Sequence, residues 1–295
     1  MASIEIAMPT TPNFVRSSFR LNRAIGTTVS PFTGQQKTQE YDYVGWSGEV
    51  MLPPMRRAVA ANWQSWLARL KGSANFFQFT DPDALTNVGT YDAGYLIATP
   101  RANLTDTSTS LAFAVLNGAI TCNDPIFENI LVGDYIFVAG SAHEQNNGTH
   151  KISARVSNTV VQTTSILADE NLTAGRSVQQ NVKGATGLSL TASTNTAAGS
   201  IAVGDYLGVL TNADAVSTPK QLLLVTEVST QTAVSGGLNK ISVGTQPKLR
   251  SAITSSHFVK FASPKGIFRL TDNIVEWQGD KNSNYNLGFS VAEVI

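Results

Sequence analysis

Apolar and polar positions in the first hundred residues change period once. Phe14 to Leu21 mixes aromatic, β-branched and polar residues as a half-buried strand does. Ser30-Pro31-Phe32-Thr33-Gly34 reads as a turn, and the stretch from Gln39 to Val50 carries aromatics at Tyr41, Tyr43 and, past a glycine bulge, Trp46. The spacing then lengthens to three and four. Met55, Val59, Trp63, Trp66, Leu67 and Leu70 make the apolar stripe of a helix, with Pro53 and Pro54 at its start and Gly72 as the left-handed residue beyond its end. Arg69 and Lys71 suit the negative end of its dipole. Asn75 to Phe79 returns to a strand, and Asp81-Pro82-Asp83 turns it. A helix between strands reads as the plug of a small barrel or sandwich, with both tryptophans in its core.

From Thr105 the texture changes. Ser, Thr, Asn, Ala and Gly fill the space between short β-like runs, and aromatic residues become sparse. Within this stretch Leu131-Val132-Gly133-Asp134-Tyr135-Ile136-Phe137-Val138 recurs as Ala202-Val203-Gly204-Asp205-Tyr206-Leu207-Gly208-Val209. A second strand follows each copy, Lys151–Val156 and Leu222–Val228, and then a third, Val160–Thr163 and Lys240–Val243. The repetition predicts two small β-modules. In each, Gly and Asp form a turn and the tyrosine opens a strand with its ring over the module core. From Ser263 the early texture returns: Pro264 to Leu270 and Ile274 to Trp277 read as strands, and Tyr285, Leu287, Phe289 and Val291 alternate strictly.

The predicted fold is therefore mainly β. A split barrel or sandwich scaffold with one helix is drawn from residues 1–100 and 260–295, and two inserted modules occupy 105–180 and 183–259. Deletion of residues 105–255 is expected to leave a foldable domain.

Composition narrows the function classes. Charged residues make up 14% of the 295, and the formal net charge is zero. A low-charge surface suits stacking against copies of itself and equally suits a chain of neutral β-modules with hydroxyl-rich faces, and the lack of basic excess argues against electrostatic nucleic-acid binding. No stretch is long and apolar enough to span a membrane, and residues 1–7 lack a signal-peptide pattern, so the protein is expected to be made and kept in the cytosol, or released only when the cell breaks open. The single cysteine, Cys122, allows no intrachain disulfide, and it reads as an inert thiol. His143 and His150 lie in a polar loop and, with His257, complete the histidines; no metal-ligand spacing, nucleophile elbow or phosphate loop is present. The expectation is no enzyme, no cofactor and no metal.

The chain ends carry a family likeness. Asn22 to Gly26, Ser30 to Gln36, Trp46-Ser47-Gly48-Glu49-Val50, Leu52-Pro53-Pro54-Met55 to Trp63, and Ala262 to Leu270 together resemble the distal tail proteins of long-tailed, siphovirus-type bacteriophages. The first module separately resembles small β-domains that decorate phage tail proteins. That likeness rests on Val132-Gly133-Asp134-Tyr135, on Gly140-Ser141-Ala142 to Asn147-Gly148-Thr149, and on Ala168-Asp169-Glu170.

The resemblance implies a structural virion protein forming a ring, typically a homohexamer, which joins the tail tube to the baseplate hub or tail tip. Its partners would be itself, the tube and hub proteins, and the tape-measure protein in the lumen, with no specific nucleic acid and no membrane. The alternative is a receptor-binding component whose modules take a host glycan, with Tyr135, Phe137 and Tyr206 as candidate platforms. A polymer-degrading hydrolase is a third reading that no residue pair singles out.

Overall fold

The strand Gly288–Glu293 lies between a strand from the N-terminal segment, Gln36–Met51, and one from its own segment, Gly266–Leu270. In the computed structural model, which describes residues 3–90, 96–97, 112–174, 177–192, 200–210, 219–233, 239–254, 257–274, 276–282 and 284–294, the chain divides into two compact units. One is Met1–Leu85 with Lys265–Ile295, and the other is Thr86–Pro264. The fold is mainly β, with one α-helix among the described residues.

In the first unit the sheet runs Arg16–Val29, Gln36–Met51, Gly288–Glu293, Gly266–Leu270, Phe77–Phe79, every neighbour antiparallel. N-terminal strands thus flank a pair of C-terminal ones. The strict alternation through residues 285–291 is split at buried Leu287: Asn284–Asn286 joins a small sheet with Met55–Arg56 and Gln278–Gly279, and Gly288–Glu293 joins the large one. Ile274 and Trp277, read above as strand, lie outside the named strands, and Ile274 is 85% exposed.

The helix spans Arg57–Leu70 and buries Ala60, Trp63, Trp66, Leu67 and Leu70. It starts later than the prolines suggested. Met55 pairs with Tyr285 in the small sheet, so the chain stays extended until Arg57, and Val59 falls on the exposed side. At the other end Lys71 (φ 53°) is already left-handed, followed by Gly72 (φ 65°). Gly72 is required twice over, because a Cβ there would lie 2.5 Å from the Asn273 side chain.

The tryptophans face the sheet. Trp66 meets Phe77 and Phe289 edge-on at 4.9 and 5.2 Å, and Trp63 meets Phe14 at 5.9 Å. The Trp63 indole N–H donates to the Thr11 carbonyl at 2.9 Å and that of Trp66 to the Ile6 carbonyl at 3.4 Å, tying the N-terminal strap to the helix.

The second unit is nested. A closed barrel is formed by Gly187–Ala192, Asn239–Gln246, Pro219–Ala233, Tyr206–Leu210, Phe258–Lys260 and Leu96–Ile97. Its Leu96–Ile97 strand precedes the first module in sequence, so that module is an excursion from the barrel and not a neighbour in series. Residues 96–97, grouped above with the scaffold by texture, belong to the barrel. Its core holds Leu188, Leu190, Leu207, Val209, Leu223, Val225, Ile241, Val243 and Phe261.

The first module is a seven-stranded sheet in the order Glu170–Ala174, Ala112–Leu116, Ala119–Cys122, Val160–Thr163, Gly148–Arg155, Tyr135–Ala139, Ser177–Gln179. Its two edge strands are neighbours in sequence, with only residues 175–176 between them. The sheet must therefore curl round until its edges approach. Asn117 and Gly118, both left-handed at φ 52° and 74°, make the two-residue turn between its second and third strands.

Deleting residues 105–255 would strand Leu96–Ile97 and Phe258–Lys260 without a barrel. The cut that respects the units removes 86–264. That truncation, closed with a short Gly-Ser linker, should unfold cooperatively with strand-rich circular dichroism. A non-cooperative or insoluble product would contradict an autonomous scaffold.

Candidate interaction surfaces

The repeated motif builds the same turn twice. Gly133 (φ 90°) and Gly204 (φ 97°) donate to the Ile152 and Val225 carbonyls at 2.8 and 2.9 Å, and Ile152 and Val225 return bonds to the Asp134 and Asp205 carbonyls, each at 2.8 Å. One carboxylate oxygen of each aspartate closes the turn, accepting from Leu131 N–H at 2.9 Å and from Ala202 N–H at 2.8 Å.

The other oxygen has a different task in each copy. In Asp205 it takes the Val88 and Gly89 N–H groups at 2.6 and 3.2 Å, pinning the incoming chain to the barrel. In Asp134 it accepts from the Ser242 hydroxyl at 2.6 Å, and so holds the first module to the barrel. Both aspartates are buried, so each needs these donors.

Tyr135 completes that junction, and its position corrects the expectation that its ring covers its own module. Along Tyr135–Ala139, Ile136 and Val138 enter the first module's core, whereas Phe137 packs on the barrel's core. Tyr135 lies over Gly187 and Gly244, which are direct cross-strand partners in the barrel. A Cβ on Gly187 would sit 2.2 Å from the tyrosine ring, and one on Gly244 would sit 3.3 Å from its hydroxyl. Two facing glycines thus make a notch filled by a side chain from the other module.

The Tyr135 hydroxyl donates to Glu227 at 2.9 Å, and Lys151 donates to the other Glu227 oxygen. The Lys151 bond first, and the tyrosine bond after it, hold the Glu227 carboxyl below its ordinary value against the opposing effect of burial. Burial, then the bond to Glu227, push the Tyr135 phenol up. Glu227 remains about half exposed, so the ion pair contributes little beside the buried ring. Nothing in the sequence marked Glu227; the two glycines were visible only as single residues, because their pairing is a matter of register.

The remaining candidates have structural surroundings. Glu170 accepts from Ala142 N–H at 2.8 Å, from Asn146 Nδ2 at 3.2 Å and from the Ser141 hydroxyl at 2.5 Å, gathering the 141–147 loop onto the 168–170 segment. His150 is buried with Nε2 on the Asn146 carbonyl at 2.9 Å, and burial lowers its pKa. His143 is exposed on the loop, and His257 Nδ1 accepts from Thr254 N–H at 3.0 Å. Burial first, and nearby Asp124 second, push the Cys122 thiol up to about 12, which leaves it protonated and unreactive. Tyr206 is half-buried. Among the described residues no group of three or more His, Cys, Asp or Glu could hold a metal ion.

A long exposed feature among the described residues is the hairpin Arg16–Val29/Gln36–Met51. Its strands stay paired from Arg16↔Met51 to Val29↔Gln36, with a register shift that sets residues 41–43 opposite Ala24, earlier than the glycine bulge expected at Gly45. The large sheet supports only Ser47–Met51 of the second strand. Outward from there, roughly 25 Å of two-stranded ribbon stands with no further strand paired to it among the described residues. Every residue from Pro31 to Tyr41 is exposed, Phe32 at 95%, and Ile25, Val29, Tyr41 and Tyr43 are exposed as well. Between Arg23 and Lys37 no residue is charged. A lone ribbon is marginal in water, and an exposed edge usually carries charge to discourage pairing. Here the stretch 24–36 has no charge and, among the described residues, no third strand, while Arg23 paired with Glu40 marks where the charges resume.

Neither a family model nor a curated protein matches the chain.

Gly187→Ala should destabilise the second unit in otherwise native protein and cost less when Tyr135 is already alanine. The coupling expected from a chemical-denaturation double-mutant cycle is about 1 kcal/mol or more. Additive effects would mean that the ring does not occupy the notch.

Proposed function

We propose that this protein is a structural, ring-forming subunit of a bacteriophage tail, placed at the distal end where the tail tube meets the hub or tip. The observation that carries this reading is the hairpin arm. It is a long ribbon with an uncharged tip that exposes Val29 and Phe32, and with an outer edge unpaired among the described residues, attached to a scaffold held by its own tryptophan core. Such an arm gains stability by lying on another chain. A projecting patch that meets a different patch on the next copy forms a heterologous contact, which closes into a ring when the rotation allows. The motif likeness at both chain ends supplies the phage-tail context, and the low charge fits subunits packed side by side.

The barrel and first module serve in this reading as a decoration. Of the aromatic platforms that a glycan-binding role would need, Tyr135 and Phe137 are occupied at the junction between module and barrel.

Native mass spectrometry and negative-stain microscopy of the purified chain should show one closed ring of defined copy number. A chain that stays monomeric at tens of micromolar and binds host cells would overturn the ring in favour of receptor binding.

A further inference from the structure

The root of the arm is as distinctive as its tip. A groove of about 770 Å³ opens where Arg16–Arg20 lies beside Glu49–Met51. Its lining is mixed: Ser18 and Ser290 contribute alongside the buried Val50, Leu67 and Leu270, and exposed Met51 and Ile274 are its apolar side chains open to solvent. Its rim carries Arg16, Arg20, Glu49, Asp272 and Glu276. Arg20 and Glu49 pair with each other. The remaining rim charges are one cation against two carboxylates, so the rim is net acidic.

The tip carries the complementary features. Val29, Pro31 and Phe32 are exposed and apolar, and the first charged residue after them is Lys37. An aromatic anchor with an apolar neighbour and a flanking cation fits exposed Met51 and Ile274 beside an acidic rim.

Arg16 and Val29 are opposite ends of one strand, about 40 Å apart at the usual rise. A chain therefore cannot seat its tip in its own root groove. A second copy can, and that copy's groove then stays open for a third. We infer that the Val29–Phe32 tip of one subunit docks in the Met51/Ile274 groove of the next, as the repeating contact of the ring. The inference rests on the ring reading and names the two surfaces that make it.

Cysteine pairing tests it in the full chain, since native Cys122 is buried and unreactive. Thr33→Cys with Ile274→Cys, and independently Ser30→Cys with Met51→Cys, should give on mild oxidation a ladder of covalent oligomers ending at the ring size. Either cysteine alone should give no species beyond a dimer. Circular dichroism of each variant confirms folding, and the two pairs guard against one bad geometry.

If native mass spectrometry shows the ring intact but neither pair produces a ladder, the tip-to-groove contact is wrong while the ring stands. If no ring forms and no ladder appears, both fail. A ladder with the double variants, together with loss of the ring in Phe32→Ser at unchanged thermal stability, supports the contact.

Discussion

The scaffold sheet closes only because Gly288–Glu293 is received between Gln36–Met51 and Gly266–Leu270. That interleaving brings the chain ends together and makes everything between Leu85 and Lys265 an excursion. It also completes the surface against which the helix packs, since Phe289 and Phe268 from the C-terminal segment meet Trp66 and Phe79 from the N-terminal one. Ring contacts of this kind contribute about 0.5–1.5 kcal/mol each beyond their burial. The same sheet braces the root of the hairpin through Ser47–Met51.

The inserted unit repeats the logic one level down. Leu96–Ile97 and Phe258–Lys260 pair with each other and with the barrel's other strands, so this excursion is closed by its own ends before the first module leaves it. The duplicated Gly-Asp-Tyr turn then shows how one local device takes on two tasks. In both copies the glycine supplies a left-handed φ and the aspartate closes the turn. The remaining carboxylate oxygen binds whatever the topology brings near: the Val88–Gly89 backbone in one case, Ser242 in the other.

Much of this was legible in the sequence because it is periodic. The tryptophan stripe, the turn at Ser30–Gly34, the duplicated strands and the division between aromatic ends and a hydroxyl-rich middle follow from local side-chain pattern. What failed was non-local. The Leu96–Ile97 strand is too short to carry a pattern and takes its place from two partners more than ninety residues away. The helix start moved because Met55 is claimed by Tyr285, a competition no local rule contains. The notch at Gly187 and Gly244 exists only through register, so Tyr135 looked like ordinary core. The hairpin's strands were recognised but cut short, because their outer halves bury little and so show no amphipathic signal.

The arm's role depends on whether its outer half is protected by another chain. Hydrogen–deuterium exchange of the amides in residues 24–29 and 36–41, followed against protein concentration, reads this directly. The account predicts slow exchange in the assembled protein and fast exchange on dilution to monomer. Equal, fast exchange at every concentration, with the ring present, would show that the arm is not the assembling element.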